Sequence, residues 1–99
     1  MAYRLSRRAA ADLDDIWFYV AAESSSAEIA DRLIDSITDR FVLLAAHPFA
    51  GRSRSDDLGA GRRSFPVGEY LIVYTVRGRN VLILRVIHGR RDLAALFGA

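Results

Sequence analysis

Two apolar, β-branched runs, Tyr70–Val76 and Val81–Ile87, flank the polar sequence Arg77-Gly78-Arg79-Asn80. No other feature restricts the fold of this chain as much. Gly and Asn both tolerate positive φ, so the segment predicts an antiparallel β-hairpin. The runs are apolar at nearly every position, not at every second one, as in central strands covered on both faces. Helices can cover one face, and a partner chain is the simplest candidate for the other. The second strand runs directly into His88-Gly89-Arg90-Arg91-Asp92. A basic knot is therefore expected at the sheet edge, held by a rigid scaffold.

The rest of the chain supplies the helices. Ala2-Tyr3-Arg4-Leu5 reads as a short first strand, and Ser6 is a suitable N-cap for a helix from Arg7 to about Ala22. Its apolar stripe is Ala9, Leu13, Ile16, Trp17 and Val20, at helical spacing, which places Trp17 in the core and Tyr19 off the stripe. A serine run follows, with a capping box formed by Ser25 and Glu28. The second helix then runs to about Ala46, with Ile29, Leu33, Ile37, Phe41 and Leu44 inward, and Pro48 ends it. So short a link requires an antiparallel helical hairpin. Asp31, Asp35 and Asp39 mark a solvated face of that helix. The segment 48–62, rich in Gly, Ser, Asp and Arg, reads as a surface loop, and Arg63–Val67 as another extended segment. Asp92 is a candidate N-cap for a closing helix Leu93–Phe97. The expectation is one α+β domain over residues 1–99 in the order β-α-α-β-β-β. The helical hairpin packs on one face of a small, mainly antiparallel sheet, and a short helix closes the chain.

Composition then limits function. Cysteine is absent, which removes disulfides, thiolate metal sites and thiol nucleophiles. His47, beside Pro48 at a helix C-terminus, and His88, at a strand end, are too isolated for a metal site, so no cofactor is expected. No apolar run approaches the ~20 residues of a membrane span and no signal-peptide core follows Met1, so the chain is expected in the cytoplasm without membrane contact. Every basic side chain is arginine, as in a GC-rich genome, and each is a planar fork suited to phosphate, carboxylate or stacking. Up to His47 five arginines face eight carboxylates, a net of −3; from Pro48 onward nine face four, a net of +5. That polarity points to an anionic partner, either nucleic acid or an acidic protein segment.

Three stretches in order resemble the RelE/ParE superfamily of type II toxin–antitoxin toxins, on the ParE side. They are Ala10-Ala11-Asp12-Leu13-Asp14-Asp15-Ile16-Trp17-Phe18-Tyr19, Pro48-Phe49-Ala50-Gly51-Arg52, and the pair Gly68–Tyr74 and Val86–Asp92. The resemblance implies a toxin silenced by a cognate antitoxin, ParD-like or another DNA-binding antitoxin. The pair would form a hetero-oligomer that reaches operator DNA through the antitoxin and serves plasmid stabilisation. It also implies one of two activities. ParE-like members are tied to poisoning DNA gyrase by protein contact, and RelE-like members cut mRNA on the ribosome.

The nuclease activity needs acid–base groups and cations at the phosphate. Where RelE-like members carry an arginine after the hairpin tyrosine, Leu71 follows Tyr70; where they carry a C-terminal tyrosine, Phe97 stands. Their lysines are missing, Arg62 being a partial substitute, so His88 and Arg91 are what remains for a nuclease. The alternatives are therefore a gyrase-directed toxin without catalytic residues, an mRNA endonuclease, and an antitoxin-binding domain that has lost toxicity. For the first and third, Arg90, Arg91, Arg85, Tyr19 and Arg62 are the candidate contacts with target or antitoxin. Arg90 and Arg91 can equally be a solvated surface pair.

Overall fold

A computed structural model describes residues 2–91, 96 and 97. Its elements are β1 (Tyr3–Leu5), α1 (Arg7–Ser24), α2 (Ala27–Ala46), β2 (Arg52–Ser53), β3 (Arg62–Val67), β4 (Tyr70–Arg77) and β5 (Asn80–His88). The strands form one sheet in the order β1-β5-β4-β3-β2, with β1 parallel to β5 and every other pairing antiparallel. The expected α+β fold is present, with the helical hairpin on one face. The closing helix expected over Leu93–Phe97, with its cap Asp92, lies mostly outside the described residues.

Local chemistry fixes the element ends. The Ser6 hydroxyl accepts from the Ala9 N–H at 3.0 Å and donates to the Leu84 carbonyl at 2.8 Å, so one side chain caps α1 and ties it to β5. At the other end α1 runs two residues further than expected. Ser25 takes the left-handed conformation as its C-cap (φ 54), so the α2 cap falls to Ser26, whose hydroxyl accepts from Ile29. The capping box expected at Ser25 is thus displaced by one residue. The inward stripe of α2 phases on Ala30, Ile37, Phe41 and Leu44, leaving Ile29, expected inside, 48% exposed. Trp17 is only half-buried, because its indole N–H reaches out to Asp31 at 2.8 Å across the helix pair.

In the β4–β5 hairpin, Arg77 pairs with Asn80 across a two-residue loop in which Gly78 alone has positive φ (61°). That is the glycine-first arrangement that matches strand twist, and Asn80 opens β5. The β3–β4 connection, Gly68-Glu69, is built the same way, with Gly68 at φ 56°. Register slips once: Val73 pairs with Arg85 and Tyr74 with Ile83, leaving Leu84 as the extra residue of a bulge.

The core against the helices is formed by Ile16, Ile37, Phe41, Leu44, Ile72, Tyr74, Val81, Ile83 and Val86. The opposite sheet face holds a second cluster, in which Leu58, Val73 and Ile87 are buried with Leu71, Leu84, Leu96 and Phe97 against them. The chain itself therefore covers the face for which a partner was expected. The segment 48–62 is correspondingly more than a surface loop: it contributes strand β2 and drops fully buried Leu58 onto the sheet.

Ion pairing folds that segment. The Arg54 guanidinium makes a double contact with Asp57, at 3.0 and 2.6 Å, and also donates to the Ser64 hydroxyl. The same hydrogen bonds hold the Asp57 carboxyl below the usual carboxylate range. A depressed carboxylate contributes stability above its unfolded value and loses it as pH falls through the folded value. Acidification below the ordinary carboxylate range should therefore loosen the turn that bonds Leu58 N–H to the Arg54 carbonyl at 2.8 Å. The protection of the Leu58 amide, its exchange corrected for the intrinsic slowing at low pH, should fall at that point. Protection unchanged across that range would contradict it.

Candidate functional site

Where β1 ends, β5 loses its neighbour: β1 pairs only with Val81–Ile83. Beyond that point α1 runs along the open edge, and the carboxylate of Asp12 replaces the missing strand. One oxygen accepts the Val86 N–H at 2.9 Å and the Arg85 Nε–H at 2.8 Å, while the other accepts from Arg85 Nη2 at 3.0 Å. Unpaired strand edges need such a cover, and here a single side chain supplies it. The two side chains are only 12% and 10% exposed, and the hydrogen bond that Arg85 donates to Asp12 raises the Arg85 pKa further. Arg85 is thus not placed as the sequence suggested. Its guanidinium is committed inside the fold, and the bulge at Leu84 sits directly beside it.

Next to this junction a groove of about 340 Å³ opens between α1 and the β4–β5 ends. Its helix wall is Asp12, Asp15, Ile16 and Tyr19; its sheet wall is Glu69, Tyr70, Val86, His88 and Arg91. Tyr70 and His88 are direct cross-strand partners, and their rings meet edge to face at 5.5 Å. His88 Nδ1 accepts from the Arg90 N–H at 3.2 Å, which assigns the proton of a neutral ring to Nε2. Nε2 lies 3.8 Å from a Glu69 carboxylate oxygen, beyond hydrogen-bond reach. The Tyr70 hydroxyl is pushed above its usual pKa, mainly by burial and then by Tyr19 and Glu69, which keeps its proton on.

Three of the residues singled out in the sequence, Tyr19, His88 and Arg91, therefore meet at one groove. Arg90 is exposed on the adjoining turn. Arg62 lies elsewhere, donating to the Leu58 carbonyl at 2.7 Å with its guanidinium 4.9 Å from the Phe97 ring centre. Asp15, Glu69 and Tyr70 were not singled out. A signal for the helix side was available, since Asp12, Asp15 and Tyr19 recur three and four apart along α1, a polar stripe parallel to the apolar one. Glu69 gave none, because its position depends on the register of the β3–β4 turn.

The chemistry available is mixed. Asp15 and Glu69 bring negative charge to the groove that holds His88, which disfavours a phosphate there. Leu71 and Phe97 lie in the second apolar cluster, on the sheet face away from His88. Among the described residues no three His, Asp or Glu side chains converge as a metal cage requires. None of the described helices is long and apolar enough to cross a membrane.

Comparison with known proteins gives a consistent set of relatives. The family described as the ParE toxin of the type II toxin–antitoxin system parDE matches residues 3–93. Toxin ParE3 of Caulobacter vibrioides is 37% identical over 93 residues, covering 94% of this chain and 91% of the relative. Toxin ParE1 of the same organism is 38% identical over 96 residues, covering 97% of each. A solved structure described as the chromosomal ParDE toxin–antitoxin system from P. aeruginosa superposes with a TM-score of 0.75 at 26% identity, covering 89% of this chain and 95% of that one.

Proposed function

We propose a function from one premise: this chain belongs to the ParE toxin family of type II toxin–antitoxin systems. It inhibits growth by poisoning DNA gyrase in the cytoplasm through protein contact. A cognate antitoxin holds it silent and carries the pair to operator DNA. The observation that carries the non-nuclease choice is the packing of Leu71 and Phe97. Both positions, where the nuclease branch would place an arginine and a tyrosine, are filled with apolar side chains around buried Leu58, Val73 and Ile87. Arg62, the substitute cation, is held by the Leu58 carbonyl and the Phe97 ring. A partner protein is favoured by large apolar side chains left on the surface, including Phe18, Tyr19, Val42 and Phe49.

The test is to purify the chain and ask what it does to two targets. Stabilised gyrase–DNA cleavage complexes are expected. Ribosome-dependent mRNA cleavage would replace the reading with the nuclease one, and inactivity on both would leave only antitoxin binding.

The groove rim supplies the contact surface. Arg90 and Arg91 are exposed after the end of β5, and among the described residues Arg91 is fastened through its backbone N–H to the His88 carbonyl at 3.1 Å. Replacing both by alanine should shift stability by no more than about 0.5 kcal/mol. Loss of a contact hot spot weakens target binding by about 2 kcal/mol or more, roughly 30-fold. Growth inhibition should therefore disappear while the thermal melt and antitoxin co-elution persist. A double variant that stays toxic would show the pair to be a solvated surface.

A further inference from the structure

Seven further arginines fall into two groups. Arg54, Arg62, Arg63 and Arg85 are each committed within the fold, to Asp57, the Leu58 carbonyl, the Gly51 carbonyl and Asp12 respectively. Arg4, Arg77 and Arg79 are exposed, and none has a carboxylate within 4.0 Å among the described residues. They gather at one end of the sheet. Arg4 is the cross-strand partner of Leu82, and Arg77 and Arg79 belong to the β4–β5 turn two residues earlier in β5. Strand spacing of about 4.8 Å and a rise of about 3.3 Å per residue put the Arg4 and Arg77 backbones roughly 12 Å apart. The platform is tied together, since the Val81 N–H donates to the Ala2 carbonyl at 3.0 Å and the Ala2 N–H to the Asn80 side chain at 3.4 Å.

The opposite end of the molecule carries both signs, since the exposed Arg90 and Arg91 follow β5 there and Glu69 stands beside them. α1 starts beside Leu84 and its later residues reach His88 and Glu69, so it advances away from the Arg77–Asn80 turn. α2 returns, and its last turn shares a hollow with Ala2 and Tyr3. The α1–α2 connection, with Glu23, Glu28 and Asp31 around it, is therefore at the far pole.

We propose that the Arg4, Arg77 and Arg79 pole is a contact site for the phosphate backbone of duplex DNA. This chain would then touch DNA directly and not only through a partner. The surroundings favour phosphate over an acidic protein segment. Phe18, Tyr19, Ile29 and Phe49 do not line the hollow between these arginines; Leu5, 39% exposed, and half-buried Leu82 do, and Val42 borders the neighbouring hollow with Ala2 and Tyr3. With so small an apolar centre a protein interface is weak, whereas backbone binding needs only exposed cations. A duplex is favoured over a single strand because no exposed aromatic ring stands among the three arginines for bases to stack on. The contact is independent of base sequence.

The experiment compares the chain, co-purified with its antitoxin if one is retained, with a triple Arg4→Ala, Arg77→Ala, Arg79→Ala variant. Binding to a short fluorescein-labelled duplex of arbitrary sequence is followed by anisotropy between about 50 and 200 mM salt. Each lost phosphate contact removes about 0.9 from the slope of log K against log salt, so the slope should fall by roughly 2 to 3. The corresponding lysine variant should retain it, because a point charge neutralises a phosphate as well as a fork does. An unchanged slope overturns the proposal. So does loss of antitoxin co-elution with DNA binding intact, which would assign the pole to an acidic protein segment. Should the triple alanine variant lose its cooperative melt, Arg79→Ala on the turn carries the test, with an expected slope loss of about 1. The readout involves no gyrase, so failure of the gyrase reading would not be mistaken for failure here.

Discussion

Replacing Asp12 by alanine should destabilise the chain by about 3–5 kcal/mol, the range for breaking a buried ion pair from one side. The carboxylate makes three hydrogen bonds, two to Arg85 and one to the Val86 N–H, at 2.8 to 3.0 Å. Its removal leaves a guanidinium only 10% exposed without a counter-charge and a strand N–H without an acceptor. Whole domains of this size are stable by only about 5–15 kcal/mol, so the variant should be close to unfolding at ambient temperature. Asp12→Asn can keep the bond to Val86 and should lose less. A paired Asp12→Leu, Arg85→Met replacement should recover most of the loss, because the penalty comes from an orphaned charge and not from a missing attraction. Urea unfolding at constant slope measures all three. A loss below about 1 kcal/mol for Asp12→Ala would mean that water reaches Arg85 and the junction is not structural.

What the sequence made legible was whatever depends on near neighbours. The stripe Ala9–Leu13–Ile16–Val20, the set Ile37–Phe41–Leu44 and the hairpin turn within Arg77–Asn80 each rest on contacts within a few positions, and all reappear in the fold, the turn tightened to the two residues Gly78 and Arg79. The misplacements came from competition between equivalent neighbours. Ser25 and Ser26 are both plausible caps, and only the left-handed exit of α1 at Ser25 gives the N-cap to Ser26. Other features joined residues far apart. Asp12 and Arg85 are separated by 73 positions and look in sequence like two solvated charges. Leu58 is an isolated apolar residue in a polar loop, yet it is fully buried against Val73 and Ile87. The groove was half legible for the same reason: Tyr19, His88 and Arg91 stood out by type, whereas Glu69 matters only because a glycine turn sets it beside His88.

Gly51→Ala should be the second severe change, although the glycine's φ is one that any residue can adopt. The cause is space. A Cβ there would overlap the Tyr74 hydroxyl and come within 2.7 Å of its ring Cε1 and 2.8 Å of the Ser64 carbonyl oxygen. None of these can easily give way. Tyr74 is fully buried on a central strand, and Ser64 belongs to β3, hydrogen-bonded between β2 and β4. The Tyr74 hydroxyl also accepts the Gly51 N–H and donates to the Pro48 carbonyl, both at 2.8 Å, so displacing the ring breaks one buried and one partly buried bond. Overpacking costs about 1–3 kcal/mol, and each lost bond adds about 1 kcal/mol. The sum is on the order of 3–5 kcal/mol. Tyr74→Phe alone removes the bonds without the overlap and should cost about 1–3 kcal/mol. The double variant should cost less than the sum of the two singles, since the hydroxyl overlap is then gone, but should not regain wild-type stability while the contacts with the ring edge and Ser64 remain. Loosening should spread along the segment that Gly51 anchors, through β2 to Leu58, uncovering the second apolar cluster. Hydrogen exchange across residues 52–62 should therefore rise before the core of β4 and β5 exchanges. Strictly additive melts in this cycle, with no local rise in exchange, would show that the 48–51 turn relaxes freely and that Tyr74 does not hold it.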